Sequence, residues 1–96
     1  MKKQIEYFIW PQDIIEKCIQ KHGVYPGEVE SVFQRSPKFY FREKGDVDDE
    51  DLYQCLGRTE EGRYLCVFYI DKKHGEILII SARDMDAKEK RKYGKK

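Results

Sequence analysis

The sequence predicts a single α+β domain over residues 1–96, in the order β-α-α-β-β-β-β-α, with one mainly antiparallel sheet and helices packed on one face of it. Three observations carry this prediction. Two short segments near the start and one at the end keep apolar residues or caps at helical spacing. Between them, stretches rich in aromatic and β-branched residues are joined by short links containing glycine, the pattern of an antiparallel meander. A chain of 96 residues has room for one small core and none for a second domain.

The first strand is IEYFIW, residues 5–10, closed by Pro11, which cannot donate to a ladder. Asp13 and Glu16 make a capping-box pattern ahead of a helix whose apolar positions are Ile14, Ile15, Cys18 and Ile19, and Gly23 ends it. Pro26 suits the first turn of a second helix, in which Val29, Val32 and Phe33 form one buried stripe before Ser36-Pro37. KFYFR, residues 38–42, is the next strand, and the acidic stretch after it is a solvated loop. LYQCLGR (52–58) and RYLCVFYID (63–71) form a hairpin around TEEG, and DKKHGE links the second of these to EILIISA (76–82). Asp86 and Glu89 make a further capping-box pattern, starting a helix at Ala87 that Gly94 stops. Residues 94–96 read as a flexible basic tail.

Charge is balanced overall, 19 Lys and Arg against 18 Asp and Glu, so no protein-wide field draws in a polyanion. It is polarised locally instead. Residues 43–51 carry six acids to one lysine, and residues 87–96 carry six bases to one acid. The three cysteines are widely spaced with no CxxC pair, which signals neither a disulfide framework nor a zinc site, and they read as core thiols. No apolar run reaches membrane-spanning length and the N-terminus lacks a signal-peptide pattern, so a soluble cytoplasmic protein is expected. No metal-ligand spacing, phosphate-cradling glycine loop or serine elbow is present, so neither a metal nor a cofactor is expected.

The chemistry concentrates at the C-terminal end. Arg83 stands where the last strand ends, held by rigid backbone yet open to a ligand, and an arginine there can bind a phosphate through two parallel hydrogen bonds. In the following helix Lys88, Arg91 and Lys92 are three and four residues apart, so at least two share a face. Arg83, Arg91 and Tyr93 are expected to converge on a pocket for a nucleic-acid backbone, with Tyr93 stacking on a base or giving a proton. The plainer reading of the same residues is a solvated basic helix. Glu89 fits a general base and, more simply, a helix cap. His22, in KHGV, lies at the end of the first helix, where a cation also suits the helix dipole. His74 reads as a turn residue.

Taken in order, FIW, KHGV, YQCLGRTEEGRYLCVFY and IISARDMDAKEKRKY resemble the BrnT family of toxins from bacterial type II toxin–antitoxin pairs, over residues 8–93. The resemblance implies a RelE-like fold and a metal-independent ribonuclease that blocks translation by cutting mRNA, with or without the ribosome. In that chemistry the ribose 2′-hydroxyl attacks the neighbouring phosphate, basic groups stabilise the developing charge and a general acid helps the leaving oxygen. It also implies a cognate ribbon-helix-helix antitoxin, through which alone the chain would meet operator DNA. Positions matching the family pattern include Trp10, Gly57 and Ser81, which read as structural. The catalytic candidates are Arg83, Tyr93, His22 and Arg91, with Lys21, Lys88 and Lys92 as RNA-binding residues. Pro11, Ile14 and Cys18 stand where the family usually has aspartate, lysine and asparagine, and Asp51-Leu52 where it has Glu-Arg. A second reading is therefore a catalytically silent relative that binds a protein or RNA as an interaction module.

Overall fold

The computed structural model describes residues 5, 7–46 and 50–95. Lys96 and the middle of the acidic stretch, residues 47–49, lie outside the described residues, as do residues 1–4 and 6. Eight elements follow in the predicted order: β1 (Tyr7–Ile9), α1 (Gln12–His22), α2 (Pro26–Gln34), β2 (Lys38–Glu43), β3 (Leu52–Arg58), β4 (Tyr64–Lys73), β5 (Glu76–Asp84) and α3 (Ala87–Gly94). They form one sheet in the order β1-β5-β4-β3-β2. The β2 to β5 run is an antiparallel meander, and β1 pairs with β5 in parallel. Among the described residues no helix is long and apolar enough to cross a membrane.

Local chemistry differs from expectation at three points. Helix α1 begins two residues before Ile14: the Pro11 carbonyl accepts the first helical N–H groups, from Ile14 at 3.0 Å and Ile15 at 3.1 Å. Asp13 therefore sits inside the first turn instead of capping it, and Glu16 accepts from Gln12 Nε2 at 3.1 Å. At the other end Gly23 adopts φ 63°, as expected of a helix stop, and its N–H reaches the Ile19 carbonyl. The link between β4 and β5 is shorter than DKKHGE, because β4 continues to Lys73 and only His74-Gly75 turn the chain. Both have positive φ, 55° and 84°. Gly94 is the last residue of α3 and not the stop beyond it.

The expectation of a sheet covered on one face is wrong. Alternation along β3 and β4 sends Cys55, Leu65, Val67 and Tyr69 to one side, where they pack with Cys18, Val29, Val32 and Phe33 of α1 and α2. Leu56 and Cys66 point to the other side, where they pack with Met85, Tyr40, Phe68 and Tyr93 beneath α3. A capped eight-residue helix needs some apolar surface to rest on, and this smaller cluster supplies it. All three cysteines are free and buried, as predicted.

The main core is aromatic at its centre. The Phe33 ring meets Phe8 edge-on at 5.2 Å and Tyr69 at 5.3 Å, and Tyr53 stacks on Tyr69 at 5.7 Å. Such pairs add about 0.5–1.5 kcal/mol each beyond the burial of their area. Helix α2 approaches β3 closely at Gly57, where a Cβ would stand 2.4 Å from Val32 Cγ1.

Two substitutions test this packing. Gly57→Ala should destabilise the domain by about 1–3 kcal/mol, because a side chain there forces α2 off the sheet. The Tyr69 hydroxyl is fully buried and has no hydrogen-bond partner among the described residues, so Tyr69→Phe should raise stability by about 1 kcal/mol. Urea unfolding midpoints measure both; a lower midpoint for Tyr69→Phe would show that the hydroxyl has a partner.

Candidate functional site

The site is placed by an irregularity in β5. Tyr69 pairs with Ile79 and Phe68 with Ser81, so Ile80 is an extra residue, a β-bulge. Ile77 and Ile79 point into the main core, and strict alternation would send Ser81 and Arg83 there too. The bulge resets the phase. Ala82 joins the main core instead, and Arg83 comes to the α3 side, beside Cys66 on the neighbouring strand.

There Arg83 meets Glu89. Its two terminal nitrogens bond the two carboxylate oxygens, Nη1 to Oε1 at 2.8 Å and Nη2 to Oε2 at 2.9 Å, a two-pronged pair across the corner between β5 and α3. Glu89 also completes the cap of α3: its Oε1 accepts the Asp86 N–H at 3.0 Å, while Asp86 Oδ1 accepts the Glu89 N–H at 2.8 Å. The cap read from the sequence is therefore correct, and the same carboxylate holds the arginine. Gln54 Nε2 and the Cys66 thiol reach Glu89 Oε2 at 3.3 and 3.5 Å. The side chains are 32% exposed for Arg83 and 14% for Glu89. Hydrogen bonding to Arg83 lowers the Glu89 carboxyl to about 2, against the opposing effect of burial. Burial pushes the Cys66 thiol up to about 11, so it is uncharged at neutral pH.

The pair leaves part of Arg83 unused. Nη1 also donates to the Asp84 carbonyl at 3.1 Å. Three of the five N–H groups are thereby occupied, and among the described residues Nε and the second hydrogen of Nη2 have no acceptor. These two lie along one edge of the guanidinium, with the spacing of two phosphate oxygens.

Asp84, the next residue, points away from Arg83 and is held by Arg63, which sequence reasoning passed over. Arg63 Nε and Nη2 bond the Asp84 oxygens at 2.7 and 3.1 Å, Nη2 also donates to the His22 carbonyl at 2.8 Å, and Nη1 donates to the Gly23 carbonyl at 2.9 Å and to Glu28 at 3.2 Å. All five N–H groups are used. Arg63 thus ties the end of α1 and the start of α2 to the end of β5. No local signal marks it, because its partners come from three distant segments.

The predicted residues separate into groups. His22 is exposed at the end of α1 and close enough to Asp84 to help lower that carboxyl, whose main cause is the hydrogen bonding of Arg63. Lys21 is exposed beside it. In α3, Lys88 and Arg91 lie on the exposed side, whereas Glu89, Lys92 and Tyr93 are turned towards the sheet. The Tyr93 hydroxyl donates to the Ser36 carbonyl at 2.8 Å, its ring meets Tyr64 edge-on at 6.1 Å, and burial raises its phenol above the usual range. Lys92 Nζ sits 3.8 Å over the Tyr40 ring. Arg83 is thus joined by Glu89 and not by Arg91 and Tyr93. Arg91 is two helical residues from Glu89 and so points away from Arg83, whereas Tyr93, four residues from Glu89, lies on the same side of α3 and packs on the cluster that includes Cys66.

Of the four departures from the family pattern, Pro11 caps α1 while Ile14 and Cys18 pack in the main core, across the sheet from Arg83. Leu52 pairs with Ile70 on β4.

The depressed Glu89 carboxyl makes stability depend on pH. Its contribution is complete above the ordinary carboxylate range, near 4.5, and is lost as pH falls through about 2. Glu89→Gln keeps an acceptor for the cap but leaves Arg83 without its counter-charge. The variant should be about 1–2 kcal/mol less stable than the parent at pH 7. That gap should close as pH approaches 2. A gap unchanged by acid, measured by urea unfolding at a series of pH values, would show that the pair contributes nothing through charge.

Among curated proteins nothing matches this chain. A protein-family model does, described as ribonuclease toxin, BrnT, of type II toxin-antitoxin system, over residues 10–89. The matched span takes in Lys21, His22, Arg63, Arg83 and Glu89 and stops short of Arg91, Lys92 and Tyr93. With most of its length matched, the chain belongs to the BrnT family of ribonuclease toxins, whose type II systems supply an antitoxin partner and whose substrate is RNA.

Proposed function

We propose that the chain cuts mRNA without a metal ion, blocks translation in the cytoplasm, and is silenced by a cognate antitoxin of the ribbon-helix-helix class that alone brings it to operator DNA. The observation that carries this reading is the free edge of Arg83. Glu89 fixes the guanidinium, and Nε and Nη2 are left to take two oxygens of a phosphate. An arginine already oriented by a carboxylate does not reorganise when charge develops on the phosphate, which is where electrostatic stabilisation is largest.

In this mechanism the 2′-oxygen bonds to phosphorus and the bond to the 5′-oxygen breaks, leaving a cyclic phosphate and a 5′-hydroxyl. The proton taken from the 2′-oxygen passes to the 5′-oxygen, and His22 is the candidate for carrying it around the end of β5, since it lies with Asp84 on the side away from Arg83. Lys21 and the exposed α3 bases Lys88 and Arg91 steer the backbone. Tyr93, whose hydroxyl is engaged by the Ser36 carbonyl, serves by holding α3 in place.

Leu52 favours the second reading, an interaction module without cleavage, because it replaces the family's usual arginine. Ile14 and Cys18 weigh less, since both lie across the sheet from Arg83.

One assay separates the two. Purified protein should cleave single-stranded RNA in excess EDTA. Arg83→Ala should lower the rate at least 100-fold in protein that stays folded, with a thermal midpoint lower by about 5–15 °C, as loss of the pair requires. Cleavage that appears with added magnesium and is lost in EDTA would overturn the metal-free mechanism. Equal cleavage by a folded Arg83→Ala would remove Arg83 from the site, and no cleavage by either protein would favour the interaction module.

A further inference from the structure

Beyond Arg83, the α3 side of the sheet carries cations lying on tyrosine rings. Lys92 Nζ is 3.8 Å from the centre of Tyr40, Lys38 Nζ is 5.5 Å from that of Tyr93, and Tyr64 has both Arg58 at 5.5 Å and Lys90 at 5.9 Å. Tyr64 is 36% exposed. Among the described residues Arg58, Lys90 and Lys92 have no carboxylate partner, and the only acid in α3, Glu89, is committed to Arg83. The strands place these groups on both sides of the arginine. Arg83 is in line with Cys66, Leu56 and Lys38 across four strands; Tyr40 belongs to the next row on one side, with Gln54, Phe68 and Ser81. Tyr64, paired with Arg58, lies two residues along β4 on the other.

Lys38 is committed to the fold, donating to the Tyr93 and Lys95 carbonyls. We propose that Tyr40 and Tyr64, with Arg58, Lys90 and Lys92, form a track that binds single-stranded RNA on either side of the phosphate held by Arg83. Tyr64 is exposed and Tyr40 half-buried, and a cation over the open face of such a ring is weakly held. An entering base takes the ring face, and the displaced cation moves a short distance to a phosphate. Alternating aromatic and basic groups is what binding to single strands requires, because each base offers a flat face and each phosphate a charge. A duplex hides its base faces and gains only the charge contacts. An acidic protein segment would use the cations and leave the rings without a function.

The proposal rests on the RNA-cutting reading, and its test keeps the two apart. The probe is a fluorescent RNA 12-mer with every 2′-hydroxyl methylated, single-stranded or annealed to its complement, with binding followed by anisotropy over a range of salt. Cleavage of the unmodified strand is measured in parallel. Tyr64→Leu should weaken single-strand binding about tenfold, whereas Tyr64→Trp, which keeps a stacking ring, should restore it. Arg58→Gln should lower the salt slope by about one. The duplex should bind more weakly than the single strand. Parental cleavage combined with binding that Tyr64→Leu leaves unchanged would overturn the track and spare the nuclease reading. A loss shared by Tyr64→Trp would also overturn it, as would polyglutamate binding that falls equally in Tyr64→Leu. Absence of both cleavage and binding in the parent protein would overturn both.

Discussion

The paired hydrogen bonds between Arg83 and Glu89 join the last strand to the last helix, and the α3 side of the molecule is organised around them. One carboxylate does two things at once: it accepts the Asp86 N–H that starts α3 and neutralises the half-exposed guanidinium that β5 presents. A lone charge at that depth would be costly, and an eight-residue helix is too short to persist by its own hydrogen bonds. The smaller apolar cluster of Leu56, Cys66 and Met85 fills the space beneath. Position, charge and packing at this corner are therefore one arrangement.

The two sides of the end of β5 are built alike. Arg83 faces one side and is held by Glu89; Asp84 faces the other and is held by Arg63. Through the His22 and Gly23 carbonyls and Glu28, Arg63 fixes α1 and α2 to the same strand end. His22 is thereby carried to within electrostatic reach of Asp84, one residue from Arg83 along the chain. The two arginines differ in what they leave free. Arg63 spends every N–H on the fold, while Arg83 keeps an edge, and that difference is why one reads as scaffold and the other as site.

What could be read from the sequence follows from how local each cause is. The order of elements, the meander and the Asp86–Glu89 cap depend on residues a few positions apart, and all appear in the structure. The Asp13–Glu16 pattern has the same form but fails, because the Pro11 carbonyl takes the first helical N–H groups and the helix starts earlier. The extra residue Ile80 leaves no mark in a run of β-branched and aliphatic residues, yet it decides which face Arg83 occupies. The hydrogen bonds of Arg63, and the position of α3 on the opposite face from α1 and α2, arise only when distant segments meet. Hence Arg83, His22 and Lys21 are legible as candidates, while the carboxylate that fixes Arg83 is legible as a cap or a general base but not as the partner of the arginine.

The central claim is that Arg83 offers a phosphate its free edge while Glu89 keeps hold of the other. The most direct test is NMR of the arginine side-chain N–H groups and the Glu89 carboxylate carbon, during titration with the 2′-methylated single-stranded RNA. The account predicts that the Arg83 Nε–H resonance moves on binding while the Glu89 carboxylate resonance stays in place. An Nε–H that does not move as RNA binds, or a Glu89 carboxylate that shifts as though released, would contradict it.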